Sequence, residues 1–197
     1  MLNFSQKQAD LILIQCPCWT TYSPPYNLAL LKAICQQQGY KVICLDLNIE
    51  FYNYLVKAGK QHLFDKPTNW YNNDFVYGLI NAHLEFIDRC VQQILEIDSR
   101  VVGFTITGLN RIFSEEIVKR IKQKDKGKII LYGGPHCFRL EINKVLLYAN
   151  PDLDAVCHHE GDKVLPNLLG LIKKDGRLVY CPGIVFRNEH NEIIDCP

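Results

Sequence analysis

Charge imbalance is missing from this chain: 22 Lys and Arg stand against 21 Asp and Glu, a formal net charge of +1 at pH 7. A polyanion-binding surface needs a surplus of cations, so nucleic acid is not expected as a partner. No apolar run approaches the length needed to cross a bilayer, so no membrane partner is expected either. The opening Met1-Leu2-Asn3-Phe4-Ser5-Gln6-Lys7 lacks a basic region leading into an apolar core and lacks a small-residue cleavage site. The expected compartment is therefore the cytoplasm. Absent as well are a glycine-lysine phosphate loop and a Ser-His-Asp set on a nucleophile loop, which argues against a self-contained hydrolase.

Cysteine is plentiful, but nine residues are an odd count and do not form a disulfide framework in a cytoplasmic chain. Cys35, Cys44 and Cys90 sit in apolar segments and read as small buried hydrophobes. Cys16-Pro17-Cys18 is spaced more tightly than zinc or iron-sulfur ligands, and no second close pair accompanies it. Its alternatives are metal ligation or a reactive thiol in a cleft. His158-His159-Glu160, with His136, invites a metal reading, but adjacent side chains on extended backbone point opposite ways. The basic run from Lys119 to Lys128, with Arg111 ahead of it, is diluted by Glu115 and Glu116 and reads as a solvated helix face, with a phosphate-binding surface as the alternative.

What the chain does have is 197 residues, 48% of them hydrophobic, enough for one sizeable core. Leu11-Ile12-Leu13-Ile14 is a short buried strand, and a helix follows over 27–38 with Leu28, Leu31, Ile34 and Cys35 on one face and Gly39 as its stop. A strand over 41–46 completes a strand-helix-strand unit. The unit recurs as a strand at 101–106, a helix at 111–124 carrying Phe113, Ile117 and Ile121, and a strand at 128–132. A helix at 139–148, a short strand at 153–157 and a closing helix at 164–173 complete the order, with Pro166 expected in that helix's first turn or, as the alternative, a later helix start.

Strands rich in Val, Ile and Leu without polar alternation need cover on both faces. The expected fold is α/β: a flavodoxin-like, Rossmann-like, doubly wound five-stranded parallel sheet of order 2-1-3-4-5 spanning residues 1–175. Residues 50–99 are too long for one crossover helix and carry Phe51, Tyr52, Tyr54, Phe64, Trp70, Tyr71, Phe75 and Tyr77 before a clearer helix at 84–97. They read as a helical insertion packed on the sheet edge or on another domain. Residues 176–197 read as a β-hairpin extension, with short strands at 178–180, 183–187 and 193–194 joined by polar turns. A continuation beyond Pro197 is expected.

In such a sheet, ligands bind at the carboxyl ends of the strands. Those ends gather Pro24, Pro25 and Tyr26, then Thr105, Thr107, Gly108 and Asn110, then Gly133, Gly134, Pro135 and His136, and finally Glu160 and Gly161. Paired glycines after an apolar strand let backbone approach a ligand, although Gly-Gly-Pro also serves as a plain tight turn. Small hydroxyls, glycines and helix starts suit a large ligand held by hydrogen bonds.

The ordered fragments resemble the N-terminal cobalamin (B12)-binding domain of radical SAM enzymes. They are 11–17, then Pro24-Pro25-Tyr26-Asn27-Leu28, Gly39-Tyr40-Lys41-Val42, Val102-Gly103-Phe104-Thr105, Gly133-Gly134-Pro135-His136, Glu160-Gly161-Asp162 and Pro182-Gly183-Ile184-Val185. The resemblance covers nearly all of the chain outside 50–99. It implies a flavodoxin-like domain holding cobalamin over the strand ends, its dimethylbenzimidazole tail between sheet and helices. Thr105 and Thr107 would line the tail channel, Gly133 and Gly134 would let the tail pass, and Pro24-Pro25 and Glu160-Gly161 would border the corrin.

Two departures matter. The Asp-x-His-x-x-Gly signature that supplies a histidine to cobalt is absent from residues 15–26, implying a base-off corrinoid without that ligand. The cysteine triad for a 4Fe-4S cluster is also absent and is expected in a covalently following radical SAM domain. The implied function is thus a corrinoid-holding module, not catalytically complete, of an enzyme that uses S-adenosylmethionine, with methyl transfer the leading outcome. The alternatives are a docking domain that binds no cofactor, or a flavodoxin-like module for flavin or another nucleotide.

Overall fold

The computed structural model describes residues 8–138 and 140–197. The leader reading over 1–7, and Arg139 at the head of the helix expected at 139–148, lie outside the described residues. In chain order the elements are β1 (Leu11–Gln15), α1 (Tyr26–Gln37), β2 (Val42–Asp46), α2 (Leu47–Lys57), α3 (Asn73–Ala82) and α4 (Leu84–Leu95). They continue as β3 (Val101–Thr105), α5 (Arg111–Lys124), β4 (Ile129–Gly133), α6 (Leu140–Ala149), β5 (Ala155–Cys157), α7 (Gly161–Asp175), β6 (Ile184–Arg187) and β7 (Ile193–Cys196).

The strands form one 7-stranded sheet of order β2-β1-β3-β4-β5-β6-β7. The first five are parallel and take the doubly wound order 2-1-3-4-5, whereas β6 and β7 add antiparallel at one edge. The C-terminal hairpin is therefore continuous with the main sheet.

Every residue of β1 is buried, as a central parallel strand covered on both faces requires. Strand side chains alternate between faces and divide the core in two. Leu11, Leu13, Val101, Leu131 and Cys157 pack with Leu28 and Cys35 of α1 and with Leu165, Leu168 and Ile172 of α7. On the other face, Ile12, Ile14, Val102, Phe104, Ile130 and Tyr132 meet side chains from α2, α3, α4, α5 and α6. α4 shows why it docks there: Phe86, Ile87, Cys90, Val91 and Ile94 form a helical stripe, and all are buried.

Four expectations are corrected. The region at 50–99 packs on a sheet face rather than at its edge, with the Phe51 ring 5.3 Å from Phe113 and 5.0 Å from Phe86. Its first helix starts at Leu47, directly from β2, because the Asp46 carboxylate accepts the Ile49 amide at 3.1 Å and caps it. α7 starts at Gly161, so Pro166 falls in its interior rather than its first turn. Residues 178–180 are irregular rather than a strand.

The basic run on and just after α5 divides: Lys119, Lys124 and Lys126 are exposed, as a solvated face requires, whereas Arg120, Lys122 and Lys128 are engaged. Arg120 meets Glu116 and Asp88, each at 2.6 Å, and Lys122 Nζ lies 2.7 Å from Asp154. Lys128, 8% exposed, donates to the Ser99 carbonyl at 2.6 Å. No helix among the described residues is long and apolar enough to cross a membrane.

Candidate functional site

The alternation that divides the core also shapes a cavity. On the α1/α7 face, register aligns two tiers across β1, β3 and β4: Leu13, Gly103 and Leu131 form the deeper one, and Gln15, Thr105 and Gly133 the one nearer the carboxyl ends. Two of these six positions have no side chain. Between this face and the two helices lies a cavity of about 460 Å³, opening at the carboxyl edge of the sheet. Leu31 and Leu165 wall its inner part, Asn27 and Thr107 add polar groups, and Trp19, Tyr26 and Phe138 stand at its rim, each at least 40% exposed.

Gly103 is a true close approach: a Cβ there would meet Leu13 Cδ2 at 3.2 Å. Gly133 is looser, the nearest atom to an added Cβ being Cys157 Cβ at 3.8 Å. Gly134 is held by its own backbone, with φ +99 and ψ −176, and a Cβ would lie 3.0 Å from the Ile106 carbonyl oxygen. Only glycine adopts that conformation without strain. The turn there is zipped to β3, since Ile106 donates its amide to Gly133 O at 2.7 Å and His136 donates to Ile106 O at 3.1 Å.

Of the residues expected at the site from sequence, Tyr26, Thr105, Thr107, Gly133, Gly134, Pro135, Glu160 and Gly161 line this one cavity. Pro24, Pro25, Gly108, Asn110 and His136 stand outside its lining. Pro25 is buried at the start of α1, and Pro24 is exposed. Asn110, fully buried, buckles the loops together: its Oδ1 accepts the Thr107 amide at 2.8 Å, and its Nδ2 donates to Thr105 O at 2.9 Å and Cys16 O at 3.5 Å. Burial lowers the pKa of His136, with Arg111 adding to the effect.

Several lining residues escaped the sequence reading. Gln15 is 1% exposed and ends β1 on the cavity face; among the described residues its side chain makes one hydrogen bond, from Nε2 to Cys16 O at 3.2 Å. Asn27 donates to Thr105 Oγ1 at 2.8 Å, tying α1 to β3 across the cavity wall. Trp19 is aimed by Asn48, whose Oδ1 accepts the Trp19 amide at 2.8 Å and whose Nδ2 donates to Thr20 O at 3.2 Å. Gly103 did carry a signal, because a lone glycine in an apolar strand marks a close approach.

The electrostatics are those of a binding cleft rather than a reactive centre. Burial pushes the Cys16 and Cys157 thiols up to about 12 and Cys18 up to about 11, so none is a ready nucleophile. Among the described lining residues the full charges are Glu160 and Asp162, with no Lys or Arg. His158 is buried, with Nε2 3.9 Å from Asp195 Oδ1, while neighbouring His159 is exposed and lines the cavity; the two rings meet edge to face with centroids 4.7 Å apart rather than pointing opposite ways. No group of three or more His, Cys, Asp or Glu among the described residues is placed to hold a metal ion.

Fold and cleft together define a doubly wound α/β domain with a pre-shaped cavity between its sheet and two helices. No protein-family model and no curated protein sequence matches the chain. Among solved structures, it is similar to the cobalamin-dependent S-adenosylmethionine radical enzyme OxsB with aqua-cobalamin and S-adenosylmethionine bound. That match has a TM-score of 0.61 and 16% identity, covering 96% of this chain and 22% of that one. It is likewise similar to the radical S-adenosylmethionine methyltransferase TsrM from Kitasatospora setae with cobalamin and a 4Fe-4S cluster bound, at a TM-score of 0.62 and 15% identity, covering 98% of this chain and 31% of that one. A TsrM structure with tryptophan substrate and a SAM analogue gives 0.59, 17%, 95% and 30% for the same quantities. At these identities the likeness establishes the fold, and the chain spans less than a third of each matched chain.

Proposed function

We propose that this domain binds a corrinoid, holding cobalamin base-off as the cofactor module of a cytoplasmic radical SAM enzyme, with methyl transfer the leading reaction class. The observation that carries this reading is the cleared slot between the sheet and α1/α7: Gly103 and Gly133 withhold side chains from the wall of a cavity that opens among aromatic side chains. In this reading the nucleotide tail enters the slot beside Gly103 and Gly133, Thr105 and Thr107 offer hydroxyls to it, and Trp19, Tyr26 and Glu160 border the macrocycle. When bound, the corrinoid would supply a carrier for a methyl group, with a 4Fe-4S cluster and S-adenosylmethionine contributed by a covalently following domain. The residues of this chain bind, orient and shield.

A cleft filled by residues 50–99 would favour the alternative of a docking domain without cofactor. The buried aromatics of that region, Phe51, Phe64, Trp70 and Phe86, instead pack against the opposite face, which favours the corrinoid reading. The flavin or nucleotide alternative expects a dense Ser/Thr/Gly phosphate nest after the first strand, and residues 16–26 contain no glycine.

Mixing the purified chain with methylcobalamin or hydroxocobalamin is expected to leave corrinoid absorbance on the protein through gel filtration. Retention of neither form under oxidising and reducing conditions would overturn the proposal for this chain. Gly133→Val tests the site: it fills the slot at a position where a Cβ has room, so the folded variant is expected to lose at least about tenfold in corrinoid affinity. Unchanged affinity would displace the tail from this slot.

A further inference from the structure

The two tiers of the slot differ in polarity, and the difference runs along its depth. Gln15 and Thr105 stand in register near the carboxyl ends, joined by Asn27 from α1. Leu13, Gly103 and Leu131 stand in register two residues deeper. Leu165 of α7 and Leu31 of α1 complete the apolar walls. The upper tier is neutral and hydrogen-bonding: Gln15 has used only its Nε2, leaving its carboxamide oxygen without a donor among the described residues. The deeper side chains have no donor or acceptor to offer.

We propose that this gradient selects among corrinoids by their lower base, a deepening that rests on the corrinoid reading above. A base-off tail enters with its sugar and ring nitrogens at the level of Gln15, Thr105 and Asn27, and the far edge of its ring reaches Leu13, Leu131 and Leu165. A benzimidazole with a methylated far edge matches those leucines. A purine base carries an exocyclic amine and further ring nitrogens, and against the leucines these lose water without gaining a partner. Gly103 helps set the depth, because its missing side chain lets Leu13 pack across β3 as part of the apolar floor, a Cβ there meeting Leu13 Cδ2 at 3.2 Å. Gln15 and Thr105 are positioning groups in this scheme, and the leucine tier is the selective one.

The test is a binding panel on the unaltered chain, read by corrinoid absorbance on titration and by co-elution. The probes are cobalamin, a cobamide with adenine as lower base, and cobinamide, which has no base. Cobalamin is expected to bind about tenfold or more tighter than the adenine cobamide, the cost of burying an unpaired polar edge. Cobinamide is expected to be weaker than cobalamin as well. Gly103→Val, which shortens the slot, is expected to bring cobalamin affinity down to that of cobinamide. Equal affinity for cobalamin and the adenine cobamide overturns the selection while leaving the corrinoid reading intact. Retention of none of the three overturns both. Should Gly103→Val fail to fold, the three-ligand panel on the unaltered chain still decides.

Discussion

The two faces of one sheet are built to opposite ends. Toward α2–α6 the strands present Ile12, Ile14, Phe104, Ile130 and Tyr132, and the helices answer with Phe51, Phe86 and Phe113, rings 5.0 to 5.3 Å apart around Phe51. Toward α1 and α7, near the carboxyl edge, two adjacent strands withdraw their side chains at Gly103 and Gly133 and a cavity of about 460 Å³ remains. A close-packed interior stabilises, while a site has to keep space that folding would otherwise fill. The buried aromatics of residues 50–99, Phe51, Phe64, Trp70 and Phe86, belong to the first task and stand apart from the cleft.

The largest effect should come from opening the filled face. Phe113→Ala, at a fully buried position, is expected to cost about 3–5 kcal/mol in urea unfolding; a loss below about 1 kcal/mol would show that face to be loosely packed. Next comes Gly134→Ala, which forces a side chain into positive φ and against the Ile106 backbone, at an expected cost of about 1–3 kcal/mol. Its neighbour sharpens the contrast. Gly133→Ala should stay within about 0.5 kcal/mol of the parent, since its Cβ has only an ordinary contact, and equal losses at the two glycines would refute the distinction between a backbone glycine and a space-making one.

Asn110→Ala falls between those two glycines, at about 1–2 kcal/mol, because it removes the hydrogen bonds that join the Thr105–Thr107 loop to Cys16. Hydrogen exchange should quicken at Thr107 and not at the core amides of α4. The smallest shift is with pH. Burial lowers the pKa of His83, His136 and His158 below the ordinary 6.5, so their neutral forms are favoured in the folded state. Their contribution is complete above 6.5 and is lost as pH falls through the depressed values, so the urea midpoint should drop between pH 7.5 and 5.5. A midpoint that rises over this interval would contradict the burial of these rings.

The parallel strands were legible because each is a short apolar run between polar punctuation, and the order 2-1-3-4-5 follows from crossovers that place helices on both faces. Start signals were less legible. α2 begins at Leu47 because of one carboxylate cap, and α7 begins at Gly161 although Pro166 pointed to a later start. Residues 178–180 are a short apolar run between polar turns yet pair with nothing among the described strands, since β6 takes the edge beside β5. At the site, residues at or just past the strand ends, such as Thr105, Gly133 and Glu160, were visible as strand-end chemistry, whereas Gln15, Leu13 and Leu31 were not. Their role depends on which face of the sheet they occupy and what stands opposite, information carried by register and helix placement.

The sequence by itself determined a balanced charge, the absence of a bilayer-length apolar run and the doubly wound parallel sheet, because these depend on composition and local periodicity. Tertiary structure alone decided that Gly103 aligns with Leu13 and Leu131 while Gly133 aligns with Thr105, so that two separate glycines, distant in sequence, open one slot. It also decided that the aromatic helices cover the other face. Both outcomes come from strand register and the side on which each crossover passes, long-range geometry that no local stretch of residues contains.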